Sequence, residues 1–161
     1  MTLREYVDSI RNKLVAVIGI GVSNTPLLKL LAAEGLRVAA CDKRTREQMG
    51  QQAEDLERLG CELHLGPDYL KDLEADVIFR TPGLRPDVPE ISACVQKGAV
   101  LTSEMEVFFQ ICPCPIIAVT GSDGKTTTTT IIAELLKKAG KRVWVGGNIG
   151  HPLLCEADGM L

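Results

Sequence analysis

Two stretches of this chain share one pattern: a short β-branched run, a glycine loop, then a helical repeat. Leu14-Val15-Ala16-Val17-Ile18 runs into Gly19-Ile20-Gly21, and Pro115-Ile116-Ile117-Ala118-Val119 runs into Thr120-Gly121-Ser122-Asp123-Gly124-Lys125. A run apolar at every position and bounded by glycine suits a strand buried on both faces, the situation of a parallel sheet. Residues 24–34 then place Leu27, Leu28, Leu30 and Leu31 at helical spacing, with Gly35 as the stop. Residues 125–138 do the same with Ile131, Ile132, Leu135 and Leu136. There Lys137 and Lys138 sit at the negative end of the helix dipole, and Gly140 follows. Between the two units the alternation continues. Leu36–Cys41, Cys61–Leu65, Asp76–Phe79 and Val100-Leu101 are strand candidates, and Thr45–Leu59 and Pro89–Lys97 are helices. Such alternation predicts an α/β fold with a parallel sheet and right-handed crossovers.

Residues 1–102 make one complete Rossmann-like unit of this kind. Residues 103–161 supply a helix around Glu104–Gln110, the strand at 115–119, the helix at 125–138 and a strand at Arg142–Val145. That is the start of a P-loop-type α/β ATPase domain. About 60 residues bury only about 60% of their unfolded surface, and a sheet this small keeps an unpaired edge, so the second unit reads as incomplete.

Composition narrows the function classes. The chain has 161 residues, 45% hydrophobic and 24% charged, with a net charge of −3. A weakly acidic chain offers no broad basic field for nucleic acid or anionic membranes. No apolar run approaches the roughly 18 residues of a membrane span, and the N-terminus lacks a signal-peptide core; the expected location is the cytoplasm. The six cysteines, Cys41, Cys61, Cys94, Cys112, Cys114 and Cys155, then read as small buried hydrophobes rather than disulfide partners. Cys112-Pro113-Cys114 has one residue between its thiols, not the two to four of a zinc knuckle.

Three loops carry the chemistry. Gly121, Ser122, Asp123, Gly124, Lys125, Thr126 and Thr127 form a glycine loop between a strand and a helix. Its backbone N–H groups and helix dipole suit phosphate. Lys125 would reach the β- and γ-phosphates of ATP, and the Thr126 hydroxyl would ligate Mg²⁺. The general pattern wants glycine where Val119 stands, so this is a shorter variant. Gly19-Ile20-Gly21-Val22-Ser23-Asn24, with Asp42 at the end of the next strand, is a dinucleotide-type fingerprint with asparagine for its third glycine. It would serve NAD, FAD or a sugar nucleotide, or no ligand at all. Lys43, Arg44 and Arg46 are phosphate or base contacts, or a solvated turn. Thr81-Pro82-Gly83, flanked by Arg80 and Arg85, is a pocket wall at the carboxyl edge of the sheet or a plain β-turn. His64 and His151 have no partner at metal-ligand spacing.

The order and spacing of these motifs, with Ser103-Glu104-Met105-Glu106 and Gly147-Asn148-Ile149-Gly150, resemble the Mur ligases of peptidoglycan synthesis, in particular the branch that adds D-glutamate. The resemblance covers nearly the whole chain. It implies an ATP-dependent acid–amino-acid ligase that joins D-glutamate to UDP-N-acetylmuramoyl-L-alanine through an acyl phosphate. It also implies that Val22 and Ser23 meet the pyrophosphate, and that Asp42, Lys43 and Arg44 surround uracil and ribose. Thr81, Pro82 and Gly83 would line the same pocket, Asn148 would contact the muramoyl part, and Lys125 would neutralise the transferred phosphoryl group. Three residues depart from the family pattern: Ser122-Asp123 replaces the commoner Thr-Asn, and Asn24 replaces glycine. The family's remaining metal ligands, adenine contacts and amino-acid-binding domain have no counterpart in these 161 residues, so the chain alone is expected to bind without completing the reaction. A non-catalytic nucleotide-sugar module, and an NAD-dependent oxidoreductase argued from Gly19 to Asp42 alone, are the other classes the residues allow.

Overall fold

The computed structural model describes residues 1–147 and 152–160. Five parallel strands lie in the order β3-β2-β1-β4-β5: β1 Leu14–Ile18, β2 Arg37–Asp42, β3 Glu62–Leu65, β4 Val77–Arg80 and β5 Val100–Thr102. β1 therefore sits at the centre, with Ile18 level with Cys41 on one side and Arg80 on the other. The order reverses between β1 and β4, which opens a crevice at their carboxyl ends.

The sheet is buried on both faces, as its unbroken apolar strands require. Val15, Val17, Val38, Ala40, Val77 and Phe79 point to one core, while Ala16, Ile18, Ala39, Cys41 and Ile78 point to the other. The first core is covered by α1 (Leu3–Ser9), α2 (Asn24–Ala33), α4 (Gln51–Arg58) and α6 (Glu104–Ile111), the second by α5 (Pro89–Gln96) and residues 70–73. Alternation within each strand divides its side chains between the two layers.

Four expectations need correction or extension. Residues 45–59 are not one helix but α3 (Arg46–Met49) and α4, broken at Gly50, whose φ of 51° and ψ of −129° leave the helical region. The chain also opens with α1, which was not foreseen; Thr2 and Glu5 close it with a reciprocal capping box. Residues 115–119 and 142–145 are not ladder strands: no neighbouring strand among the described residues offers the carbonyl and N–H groups a ladder needs. Finally, α7 (Lys125–Lys138) forms over the expected residues, but of its apolar side chains only Ala133 is fully buried. Ile131 and Leu135 are 55% and 63% exposed, and Ile116 and Ile117 of the preceding run are also exposed.

A tether joins the chain's far end to the sheet layer. The 3-10 helix Leu154–Met160 contributes Leu154, Ala157 and Met160 to the first core. Asp158 Oδ1 accepts a hydrogen bond from the Leu3 N–H at 2.9 Å, and Glu104 Oε1 accepts one from the Leu154 N–H at 2.9 Å. Glu104 is 6% exposed, and burial pushes its carboxyl above the ordinary glutamate range despite the Leu154 donor. Because the folded pKa exceeds the unfolded one, the penalty for the buried charge is absent below the unfolded value, grows as pH rises between the two and is complete above the folded value. Glu104→Gln keeps an acceptor and removes the charge. Its melting temperature should exceed that of the parent chain at pH 7.5 and match it near pH 4; a lower value at pH 7.5 would refute this account.

No helix among the described residues is long and apolar enough to cross a membrane.

Candidate functional site

The loops that follow β1, β2 and β4 meet at the crevice, because each leaves the sheet at the same level. The Gly19 N–H donates to the Cys41 carbonyl at 2.7 Å, and the Thr81 N–H donates to the Ile18 carbonyl at 3.0 Å. These bonds bring Val22, Ser23, Asp42, Lys43, Arg44, Thr81, Pro82 and Gly83 to one edge of the fold.

Asp42 organises that edge. Its carboxylate is 6% exposed. Oδ2 accepts from the buried Ile20 N–H at 2.8 Å and from Arg44 Nη2 at 2.9 Å, while Oδ1 accepts from the Arg44 N–H at 2.9 Å and Arg44 Nε at 3.0 Å. Arg44 Nη2 closes the ring by donating to the Ile20 carbonyl at 2.7 Å. Burial works to raise the Asp42 pKa, but the Arg44 guanidinium and the two backbone N–H groups outweigh it and hold the carboxyl below its ordinary value. The carboxylate expected to meet ribose is thus already committed to shaping the glycine loop and aiming Arg44.

Asn24 has a larger part than its sequence position suggested. It is buried, and Nδ2 donates to the carbonyls of Ile18 (3.2 Å) and Gly19 (2.8 Å). The side chain standing where the fingerprint has glycine therefore pins the loop from inside. Its signal was available in the sequence: a short amide at the start of a helix readily bonds back to nearby backbone.

Two glycines in this loop differ in kind. Gly19 has φ +87°, and a Cβ there would stand 2.9 Å from Thr81 Cγ2. Gly21 carries neither constraint, since a Cβ there meets nothing within 4 Å. Around them Val22 is 81% exposed at the loop tip and Lys43, Pro82 and Gly83 are exposed. Thr81 to Leu84 is a β-turn, closed by the Leu84 N–H on the Thr81 carbonyl at 3.0 Å. The turn and the pocket wall are therefore the same residues.

Several flanking charges are engaged elsewhere. Arg46 pairs with Glu57, Arg85 with Asp87, and Arg80 Nη1 donates to the Leu84 carbonyl. His64 pairs with Glu62 at 3.0 Å. Asn148 and His151 lie outside the described residues.

The phosphate loop has the expected local form. Gly124, in the left-handed region at φ +74°, starts α7 with no side-chain cap, so the first N–H groups of the helix are open to an anion. Gly121, Ser122, Asp123, Thr126 and Thr127 are exposed. Lys125 Nζ donates to the carbonyls of Gly121 (2.6 Å) and Ser122 (2.9 Å) and so lies folded over its own loop. Thr130 Oγ1 donates back to the Thr126 carbonyl, so at least one hydroxyl of the threonine run serves the helix itself. α7 packs extensively against no other element, so the structure does not assemble this loop with the crevice.

Comparison with known proteins follows the same division. Residues 13–103 match the family model described as Mur ligase MurD-like, N-terminal domain, and residues 119–158 match the Mur ligase middle domain. The chain is 53% identical over 157 residues to the UDP-N-acetylmuramoylalanine–D-glutamate ligase of Ruminiclostridium cellulolyticum. It is 51% identical over 157 residues to the protein of the same name from Clostridium botulinum. Each alignment covers 97% of this chain and 34% of the relative, so the chain spans about a third of their length. Among solved structures, the UDP-N-acetylmuramate-alanine ligase of Thermotoga maritima superposes with a TM-score of 0.51 at 25% identity. That match covers 80% of this chain and 30% of the other.

Proposed function

The chain belongs to the Mur ligase family, and on that premise we propose that it is the nucleotide-sugar-binding part, with the opening of the ATP-binding part, of a D-glutamate-adding ligase. Its substrates are UDP-N-acetylmuramoyl-L-alanine and D-glutamate. The observation that carries this is the crevice: three loops converge on one sheet edge, with a backbone held open at Gly21 and Arg44 aimed by Asp42. Gly21 is needed neither for its backbone angle nor for packing, which leaves close approach of a ligand as the reason for a bare backbone. The N–H groups near Val22 and Ser23 bind the pyrophosphate. Lys43 and Arg44 face the uracil and ribose, with Asp42 acting chiefly through Arg44 and the loop. Thr81, Pro82 and Gly83 form the opposite wall, and Asn148 meets the muramoyl part.

The donor set at residues 121–127 fits a nucleoside triphosphate, through open helix N–H groups, glycine backbone and one ammonium. Thr126 offers a hydroxyl to Mg²⁺. ATP, when bound, supplies the phosphoryl group that activates the substrate carboxylate. Lys125 leaves its two carbonyl acceptors to neutralise phosphate charge, and the α7 terminus holds the phosphates in place. Residues 115–119 and 142–145 become strands of a P-loop-type ATPase sheet once they have neighbours to pair with, and the exposed face of α7 then covers that sheet.

Titration calorimetry of the 161-residue chain with UDP-N-acetylmuramoyl-L-alanine tests the proposal. One equivalent should bind, and adding ATP and D-glutamate should release no phosphate above background. Absence of heat at millimolar ligand would sink the binding assignment, and phosphate release at a ligase-like rate would sink the division of labour.

A further inference from the structure

The Cys112-Pro113-Cys114 spacing does not fit a zinc knuckle, but the fold places its thiols together. α6 ends at Ile111, and Cys112 leaves the helix with φ −57° and ψ 121°, the extended conformation that a following proline enforces. The chain then bends at Cys114. The two Sγ atoms come to 3.6 Å, and Cys112 Sγ also lies 3.4 Å from the Cys114 carbonyl. Both residues are half-buried, while Cys41, Cys61 and Cys94 are sealed in the core. A cavity of about 240 Å³ lined by Gln110, Ile111, Cys112, Pro113, Ala157 and Asp158 gives solvent access.

From this geometry we propose that Cys112 and Cys114 form a bidentate thiolate site for a thiophilic d¹⁰ cation of the zinc or cadmium class. With metal–sulfur bonds of ~2.3 Å, sulfurs 3.6 Å apart subtend an angle of about 103° at the metal. That is close to tetrahedral and far from the linear arrangement that two-coordinate soft cations adopt. Among the described residues no third His, Cys, Asp or Glu joins them in a group, so the two thiolates carry the site. The site lies between the end of α6, which is packed on the sheet, and residues 115–119, which lead into the phosphate loop. A bound cation therefore fixes the turn at residues 112–114.

Cadmium titration of the fully reduced 161-residue chain, followed by thiolate-to-metal charge-transfer absorption, reads this directly. One equivalent should saturate the band. Cys112→Ser and Cys114→Ser should each weaken uptake at least 100-fold, with circular dichroism showing both variants folded, and Cys155→Ser should leave it unchanged. On the unaltered chain, one equivalent of phenylarsine oxide, which bridges two adjacent thiols, should abolish uptake. No charge-transfer band, uptake that survives both serine variants or the arsenical, or loss with Cys155→Ser would overturn the proposal.

Discussion

Asp42→Ala is expected to destabilise the chain by about 2–3 kcal/mol and to weaken UDP-sugar binding at least tenfold. The four hydrogen bonds to its carboxylate are not equivalent. Arg44 is partly exposed, its side chain 38% accessible, and recovers water when its partner goes. The Ile20 N–H is buried and does not, and a stranded buried donor costs about 1–3 kcal/mol. Loss of the guanidinium's anchor adds to that, and a chain of this size loses about 2–4 °C of melting temperature per kcal/mol. The binding loss follows because the glycine loop and Arg44 are both positioned by the same carboxylate. Sign is fixed by the lowered folded pKa: the contribution is fully present above the unfolded aspartate value near 4 and is lost as pH falls through the folded one. The stability gap between parent and variant should therefore be wide at pH 7 and close as pH drops below about 4. A gap equally wide at pH 2.5 would show that the charge is not what matters.

Gly19→Ala should cost about 3 kcal/mol and abolish binding in the crevice. Two penalties add. Holding a Cβ-bearing residue at φ +87° costs about 1–2 kcal/mol. The new methyl also stands 2.9 Å from Thr81 Cγ2 and 3.0 Å from Thr81 Cβ. The second atom is fixed to the backbone and cannot swing aside, so residues 81–83 must move and the wall of the site moves with them. Adding Thr81→Ala removes Cγ2 but leaves Cβ and the backbone strain, so it should restore about 1 kcal/mol and no more. A single variant within 0.5 kcal/mol of the parent by urea unfolding would dispose of the argument.

Much of this was legible before any coordinates. The centre of the sheet followed from strands apolar at every position, which only burial on two faces accommodates. Of the three crevice loops, those after β1 and β4 followed from glycine and proline at strand ends, and the one after β2 from the charged Asp42-Lys43-Arg44. The capping box at Thr2 and Glu5 and the break at Gly50 are equally local chemistry, written in residues at most a few positions apart. Other features were not legible, since they depend on residues far apart in sequence. Glu104 meets the Leu154 N–H across 50 positions, and Asp42 meets the Ile20 N–H across 22.

The sequence by itself determined the five strands of the sheet, most of the helices and where the chain turns, and it supplied the glycine and proline loops on which the proposed binding rests. Those follow from backbone freedom and side-chain period within a few residues. Tertiary structure alone decided which of these segments find partners. β1 to β5 satisfy one another's backbone groups and close two cores, whereas 115–119 and 142–145 carry strand composition without a ladder and α7 keeps Ile131 and Leu135 in solvent. It also made Asp42 the brace of its own loop and set Cys112 beside Cys114. Hydrogen bonding and burial are pairwise, so a strand or a buried carboxylate acquires its role only from the groups the fold places opposite it.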